Sequence, residues 1–197
     1  MRFLLKTILI FTLVIGVSLS YLHSTSEAAT VSYLKDTRYS YIYNFLGSQK
    51  IYKFEGKEKS GNLWGISDLG RYYPTYAELE VQNKNGFFLQ TRNDTDIYRS
   101  IQVIKFPMKK GLKWSVKSES DIKLDFTILS TNKTVNVRAG TFKNVVEVKM
   151  HLEGFDKGSY QKEYYAKGAG LILSSRYINN KYAGKSIELI KKYRNTK

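Results

Sequence analysis

Val146-Glu147-Val148-Lys149-Met150-His151-Leu152 sets apolar side chains at the even positions and Glu147, Lys149 and His151 between them. A period of two marks a strand with one buried and one wet face, because successive side chains of an extended chain point to opposite sides. The same alternation appears upstream, where Leu124, Phe126 and Ile128 are interleaved with Lys123, Asp125 and Thr127. Ile101, Val103 and the run to Phe106 form another such stretch. Glu78-Leu79-Glu80-Val81 leads through Gln82-Asn83-Lys84-Asn85-Gly86 into Phe87-Phe88-Leu89. Asn85-Gly86 is a hairpin signal, since both residue types tolerate positive φ. Glycines from Gly47 to Gly184 punctuate the chain at short intervals. No segment carries a 3.6-residue apolar stripe over three turns. Asp36–Leu46 comes nearest to a helix, yet its Tyr and Ile content suits a strand as well. The pattern predicts an all-β, antiparallel domain of about ten to thirteen short strands, either a sandwich or a partly open barrel. The weak point for a boundary is Gly70–Pro74.

Composition agrees with a folded, exported chain. Its 197 residues are 42% apolar and 25% charged, with 16 Tyr, 14 Gly and 2 Pro, too aromatic for a disordered polymer. Met1–Ala29 reads as a secretory leader. Arg2 and Lys6 give the positive start, Thr7–Leu22 the apolar run, and Ser26-Glu27-Ala28 the small residues of a cleavage site after Ala28. The apolar run, about 16 residues, is short of the roughly 20 that span a bilayer. The expected organisation is a signal peptide over 1–28 and one all-β domain over 29–197. Cysteine is absent, so no lipid can be attached at a lipobox, and no second long apolar run follows. The processed chain is therefore expected to have no stable membrane anchor. An exported chain without cysteine, rich in Lys and Tyr, points to a Gram-positive bacterium. Cleavage removes Arg2, Lys6 and Glu27, so the net charge of +15 becomes +14. It also removes His23 and leaves His151 alone.

Three segments of the second half resemble, in order, a broad group of bacterial exported proteins and lipoproteins, most of them uncharacterised. They are Phe106-Pro107-Met108-Lys109-Lys110-Gly111-Leu112-Lys113-Trp114, Val137-Arg138-Ala139-Gly140-Thr141-Phe142-Lys143-Asn144-Val145 and Tyr164-Tyr165-Ala166-Lys167-Gly168-Ala169-Gly170-Leu171-Ile172. The group shows Pro-x-x-x-Gly-x-x-Trp, Ala-Gly-Thr-Phe-x-Asn and Tyr-Tyr-Ala-x-Gly-x-Gly-Leu. The similarity runs from Ile104 to Arg176 and implies a strongly curved antiparallel sheet. It implies no activity, cofactor or catalytic residue. In physical terms these are structural motifs. Pro107, Gly111, Gly140, Gly168 and Gly170 suit turns and close backbone approaches. Trp114, Phe142 and Tyr165 are core aromatics, and Trp114 carries one N–H to satisfy.

The search for chemistry narrows quickly. Without cysteine, thiol catalysis and cysteine-bound zinc are excluded. One histidine cannot make a His-rich metal site, and no serine lies in a Gly-x-Ser-x-Gly elbow. His151, on the polar face of its strand, is expected to be an ordinary solvent-facing histidine. Glu78 with Glu80, and Glu119 with Asp121, are carboxylate pairs on one strand face. Such pairs serve glycosidases or calcium sites, but among so many lysines they are expected to be ion-paired. Asn93-Asp94-Thr95-Asp96 lacks the Gly and distal Glu of a calcium loop and reads as a hairpin turn. No enzyme, cofactor or metal is expected.

Charge is the informative feature. Lys109, Lys110, Lys113 and Lys117 crowd around Trp114 and are the expected anion-binding residues. Outside a cell the abundant anions are wall polymers, lipid head groups and released nucleic acid, and a strongly cationic protein is drawn to all of them at long range. The leading reading is a secreted, non-enzymatic binding protein that associates loosely with an anionic wall polymer or other polyanion, with no specific nucleic-acid recognition. Two others stand beside it. One is a carrier of an apolar small ligand in the hollow of a curved sheet. The other is a secreted host-interaction factor, similar in size and basicity to superantigen-like exoproteins but without their strand–helix signature.

Overall fold

Alternation becomes strand almost everywhere it occurs. The computed structural model describes residues 31–58, 61–71, 73–92, 100–118 and 120–195. The leader, Asn93–Asp96 and Glu119 lie outside them. Ser32–Lys197 forms a unit distinct from Met1–Val31, and the fold is that of the former. Twelve strands follow one another: β1 Tyr39–Phe45, β2 Ser48–Glu58, β3 Gly61–Asp68, β4 Tyr76–Asn83, β5 Gly86–Arg92, β6 Ile101–Lys105, β7 Lys113–Lys117, β8 Lys123–Val137, β9 Gly140–Leu152, β10 Tyr160–Ala166, β11 Gly170–Ile178 and β12 Lys181–Arg194. No helix occurs among the described residues. The helix alternative over Asp36–Leu46 gives way to β1, whose Tyr41 and Tyr43 bury one face. Gly70–Pro74 is a connection between β3 and β4, inside one sheet.

All twelve strands form a single sheet in the order β6-β5-β4-β3-β2-β1-β12-β11-β10-β9-β8-β7. Every neighbouring pair is antiparallel, and β1 is bound to β12 from Tyr39↔Arg194 to Phe45↔Ile187. Read around the ring, the order is therefore an unbroken meander. Its ends are the consecutive strands β6 and β7, and its first and last strands are joined. The sheet curls into a nearly closed barrel, not a sandwich. Where β6 and β7 face each other, the Trp114 indole N–H donates to the Gln102 carbonyl at 2.9 Å.

The concave side holds the core. Tyr41, Tyr43, Trp64, Ile66, Ile172 and Leu189 are buried in one cluster, with Tyr41 edge-on to Trp64 and Phe54 tilted against the same indole. Tyr165 meets Phe87 across the barrel, and Trp114 stacks on Phe126 with centroids 5.2 Å apart. Phe142 is half-buried and packs against the central cluster.

The turn chemistry differs from expectation at one place. Asn83 pairs with Gly86, so the two-residue turn is Lys84-Asn85 and Gly86 opens β5. Asn85 is not among the residues with positive φ. Gly86 is glycine because a Cβ there would collide with the Ile104 carbonyl of β6.

Candidate functional site

The strand register decides which lysines meet. Lys113 pairs with Thr127, Thr127 with Lys149, Lys149 with Lys162, Lys162 with Ser175 and Ser175 with Lys185. Directly paired residues share a face. Lysines from β7, β9, β10 and β12 thus stand in one row on the convex side, opposite Trp114, Phe126 and Val148. Two carboxylates on this side are buried by the cations around them. Glu147 receives Lys133 at 3.1 Å, Lys162 at 3.4 Å and the Tyr164 hydroxyl at 3.2 Å. Glu188 receives Lys185 at 2.8 Å and Arg138 at 3.4 Å. Among the described residues, Lys113 and Lys149 have no carboxylate of this kind. The Lys149 ammonium instead lies 4.0 Å above the Tyr160 ring, a cation–π contact that leaves its charge available to an anion.

Those two lysines border a groove of about 560 Å³ on the convex face. Its walls are Lys113 and Ser115 of β7, Asp125 and Thr127 of β8, Lys149 and His151 of β9, and Lys157 of the β9–β10 connection. The one carboxylate is already engaged. Asp125 accepts from the Ser115 hydroxyl at 2.5 Å and from Lys123 at 3.0 Å, and these two partners hold its carboxyl below the usual carboxylate range. His151 Nδ1 lies 3.0 Å from the Ser159 carbonyl and so donates to it. Although Ser115, Asp125 and His151 are neighbours, they are wired in the wrong order for hydrolysis. The hydroxyl donates to the carboxylate and not to the imidazole, so the serine–histidine hydrogen bond of a hydrolytic triad is not made here. The groove can neutralise an anion and offer it the Thr127 hydroxyl.

Of the expected quartet, only Lys113 lines this groove. Lys109 and Lys110 lie in the β6–β7 connection at one end of the barrel, and Lys117 closes β7 at the other, 3.9 Å from Asp121. The motif residues take up structural positions. The Phe106–Pro107 peptide is cis and Gly111 has positive φ, with the Gly111 N–H donating to Ile128. Gly140 opens β9 at a φ of 133°. Tyr165 donates to Glu163 at 2.6 Å, and burial pushes the Glu163 carboxyl upward while that bond pulls it partly back.

A second polar cluster lies inside the barrel, and sequence reasoning saw half of it. Glu78 and Glu80 are indeed ion-paired, but to one buried residue, Lys35, at 3.1 and 2.6 Å. Trp64 Nε1 and the Lys35 backbone N–H also donate to Glu80, at 3.0 and 2.9 Å. The ammonium lies 4.8 Å over Tyr52 and 5.7 Å over Trp64. Burial pulls the Lys35 pKa down, but the two carboxylates outweigh it, so Lys35 stays charged well above the ordinary lysine range. Nothing in sequence separates Lys35 from the other lysines. Its place follows from the strap Ser32–Asp36, which crosses the mouth and is pinned to the Gly168-Ala169-Gly170 turn by Gly168 N–H to Ser32 and Asp36 N–H to Gly168. The cavity left beside Lys35 is about 20 Å³, room for one water. A larger apolar recess of about 350 Å³ opens at the barrel rim, between Met150 and Leu152 of β9, Phe155, and Tyr177 and Ile178 of β11.

No protein-family model matches the chain, and no curated protein matches its sequence. Two solved structures share its outline. One is a candidate exported protein of Bacteroides fragilis with a YmcC-like fold, 13% identical, with a TM-score of 0.46 over 83% of this chain and 100% of that one. The other is a candidate lipoprotein of Parabacteroides distasonis, 13% identical, with a TM-score of 0.48 over 83% of this chain and 99% of that one.

Proposed function

We propose that this chain is an exported, non-enzymatic binding protein of the cell envelope or extracellular space, and that its convex face holds anionic polymers. The convex groove carries the reading. Lys113, Lys149 and Lys157 converge on it, the Thr127 hydroxyl lies between them, and its single carboxylate is satisfied by its own neighbours. A repeating phosphate or sulfate polymer can lie along the cross-strand lysine row and exchange one counterion for each contact. The distributed charge of the rest of the molecule steers the polymer to the face without ordering it.

Sedimentation of the exported chain with isolated cell walls, with and without teichoic acid, tests this across a salt series. Binding should need the polymer and fall about 20- to 40-fold between 50 and 200 mM salt if three phosphates are contacted. Lys113→Gln with Lys149→Gln and Lys157→Gln should abolish most of it, whereas Lys109→Gln with Lys110→Gln should change it little. Polymer binding untouched by the groove substitutions would overturn the reading.

A further inference from the structure

The exposed apolar side chains are concentrated at one end of the barrel. In a meander, alternate turns emerge at the same end, and among the connections the structure describes those are β1–β2, β3–β4, β7–β8, β9–β10 and β11–β12. Of the large apolar side chains exposed among the described residues, Tyr193 alone lies elsewhere. Leu46, Leu69 and Tyr73 sit on the first two turns, Ile122 on the third, Phe155 on the fourth, and Ile178 and Tyr182 on the fifth.

The last three turns are tied into one rim. Glu153 N–H donates to the Lys123 carbonyl at 2.9 Å, and Asn180 N–H donates to the Gly158 carbonyl at 2.8 Å. Asn179 and Asn180 both have positive φ, the backbone of a tight two-residue hairpin turn that carries no slack. Within the β9–β10 connection, Phe155 N–H donates to Leu152 and Ser159 N–H to Asp156. On this braced frame Phe155 is 60% exposed, Ile178 55% and Tyr182 59%. The rigid backbone keeps these side chains out, and the apolar recess floored by Met150 and Leu152 opens between Phe155 and Ile178.

We infer that this rim docks on the surface of an anionic lipid bilayer, with Phe155, Ile178 and Tyr182 entering the interface. Charge argues for that occupant. From Ser174 to Ile187 the β11–β12 hairpin contains Arg176, Lys181 and Lys185 and no Asp or Glu. Lys157 stands two residues from Phe155 in a connection that also carries Glu153 and Asp156, and Glu153 accepts from the Lys123 backbone N–H at 3.3 Å. Apolar tips flanked by cations, with tyrosine at the boundary, are the pattern of a protein lying on a membrane. The tips are separate projections around a mouth, each able to enter between head groups. The inference goes beyond polymer binding by the groove: the side chains that enter the bilayer, Phe155, Ile178 and Tyr182, are not in the groove, and only the flanking cations Lys157 and Lys185 are shared with the lysine face.

Vesicle sedimentation decides it, with 1:1 phosphatidylglycerol–phosphatidylcholine against phosphatidylcholine alone, and lipid-free teichoic acid as a parallel arm. All variants carry the same N-terminus, so differences report the rim. The chain should bind the anionic vesicles at least about tenfold more tightly than the neutral ones. Phe155→Ser with Ile178→Ser should weaken vesicle binding about tenfold or more and leave teichoic acid binding unchanged. Both side chains are exposed, so the fold should survive, which circular dichroism checks. The indole introduced by Phe155→Trp should shift its emission to the blue on anionic vesicles and be quenched by brominated lipid. The inference is overturned if the double serine variant binds vesicles like the parent, if that indole emission does not move, or if neutral vesicles bind equally well. It is also overturned if no vesicle binds and the rim captures a protein. Teichoic acid binding that survives substitution of the groove lysines, with rim-dependent vesicle binding intact, would overturn the groove reading alone.

Discussion

Gly170 shows how a short motif encodes a buried charge. It has a φ of 64°, and a Cβ built on it would lie 3.0 Å from Glu80 Oε1, 3.3 Å from Lys35 Cγ and 3.5 Å from the Tyr33 carbonyl. A side chain there both strains the backbone and pushes on an ion pair packed on every side. Gly168, two residues earlier, has almost the same φ of 66° with nothing within 4 Å. The two therefore form an internal control. Gly168→Ala should cost only the left-handed backbone, about 1 kcal/mol. Gly170→Ala should cost that and the displacement of Glu80 from Lys35 and Trp64, together about 3 kcal/mol or more, since disturbing one partner leaves the other charge buried without full compensation. Denaturant midpoints of both variants measure the difference. Equal losses would mean that the strap carrying Lys35 yields freely and the buried cluster is soft.

At the scale of elements, the barrel depends on how β6 meets β7. Both are the ends of the sheet, and no ladder joins them among the described residues, an arrangement prone to aggregation unless covered. Trp114 covers it. Its ring is buried and stacked on Phe126, and its N–H reaches the Gln102 carbonyl. Trp114→Phe keeps the stacking and removes the donor, so it should cost about 1 kcal/mol, or roughly 2–4 °C in Tm for a domain of this size. Thermal unfolding checks it, and a variant as stable as the parent would show that the indole bond does not hold the seam. Sequence exposed some of this and hid the rest for definite reasons. The alternation in β9 and β8 is local, so it was readable, and Trp114 was recognisable as a core aromatic with an N–H to place. The helix–strand ambiguity of Asp36–Leu46 came from β-branched and aromatic residues with no clear period, and burial of Tyr41 and Tyr43 settled it. The groove depends on register. Lys149 reaches Lys113 only because β8 sets Thr127 between them, and a slip of one residue would turn those lysines inward. Lys109, Lys110 and Lys117 are near Trp114 in the chain and apart in the fold, because strand direction carries them to opposite ends.

At the scale of the whole molecule, the barrel is closed by a contact that no local pattern announces. β1 and β12 are about as far apart in sequence as two strands can be, yet they pair over seven residue positions. The join is reinforced where Asn195 N–H donates to the Arg38 carbonyl at 2.9 Å and the Ser40 hydroxyl bonds Asn195 Oδ1 at 2.7 Å. Closing so long a loop is slow, and β1 has no partner on that side until β12 has been made. Once formed, however, the join is the stronger of the two closures. Opening it exposes Tyr43 and Leu189, fully buried at its centre, and breaks a ladder interrupted only by the irregularity between Ile42 and Tyr43, whereas opening β6 from β7 breaks, among the described residues, one indole bond. Amides sample openings according to their local cost. Native-state hydrogen exchange should therefore be fastest in β6 and β7 and approach the global unfolding limit in β1 and β12, despite their being the first and last strands. Trp114→Phe should speed exchange in β6 and β7 and leave β1 and β12 unchanged. If β12 instead exchanged ahead of β7, the chain ends would fray as ordinary termini do, and the barrel would be held together by its local hairpins alone.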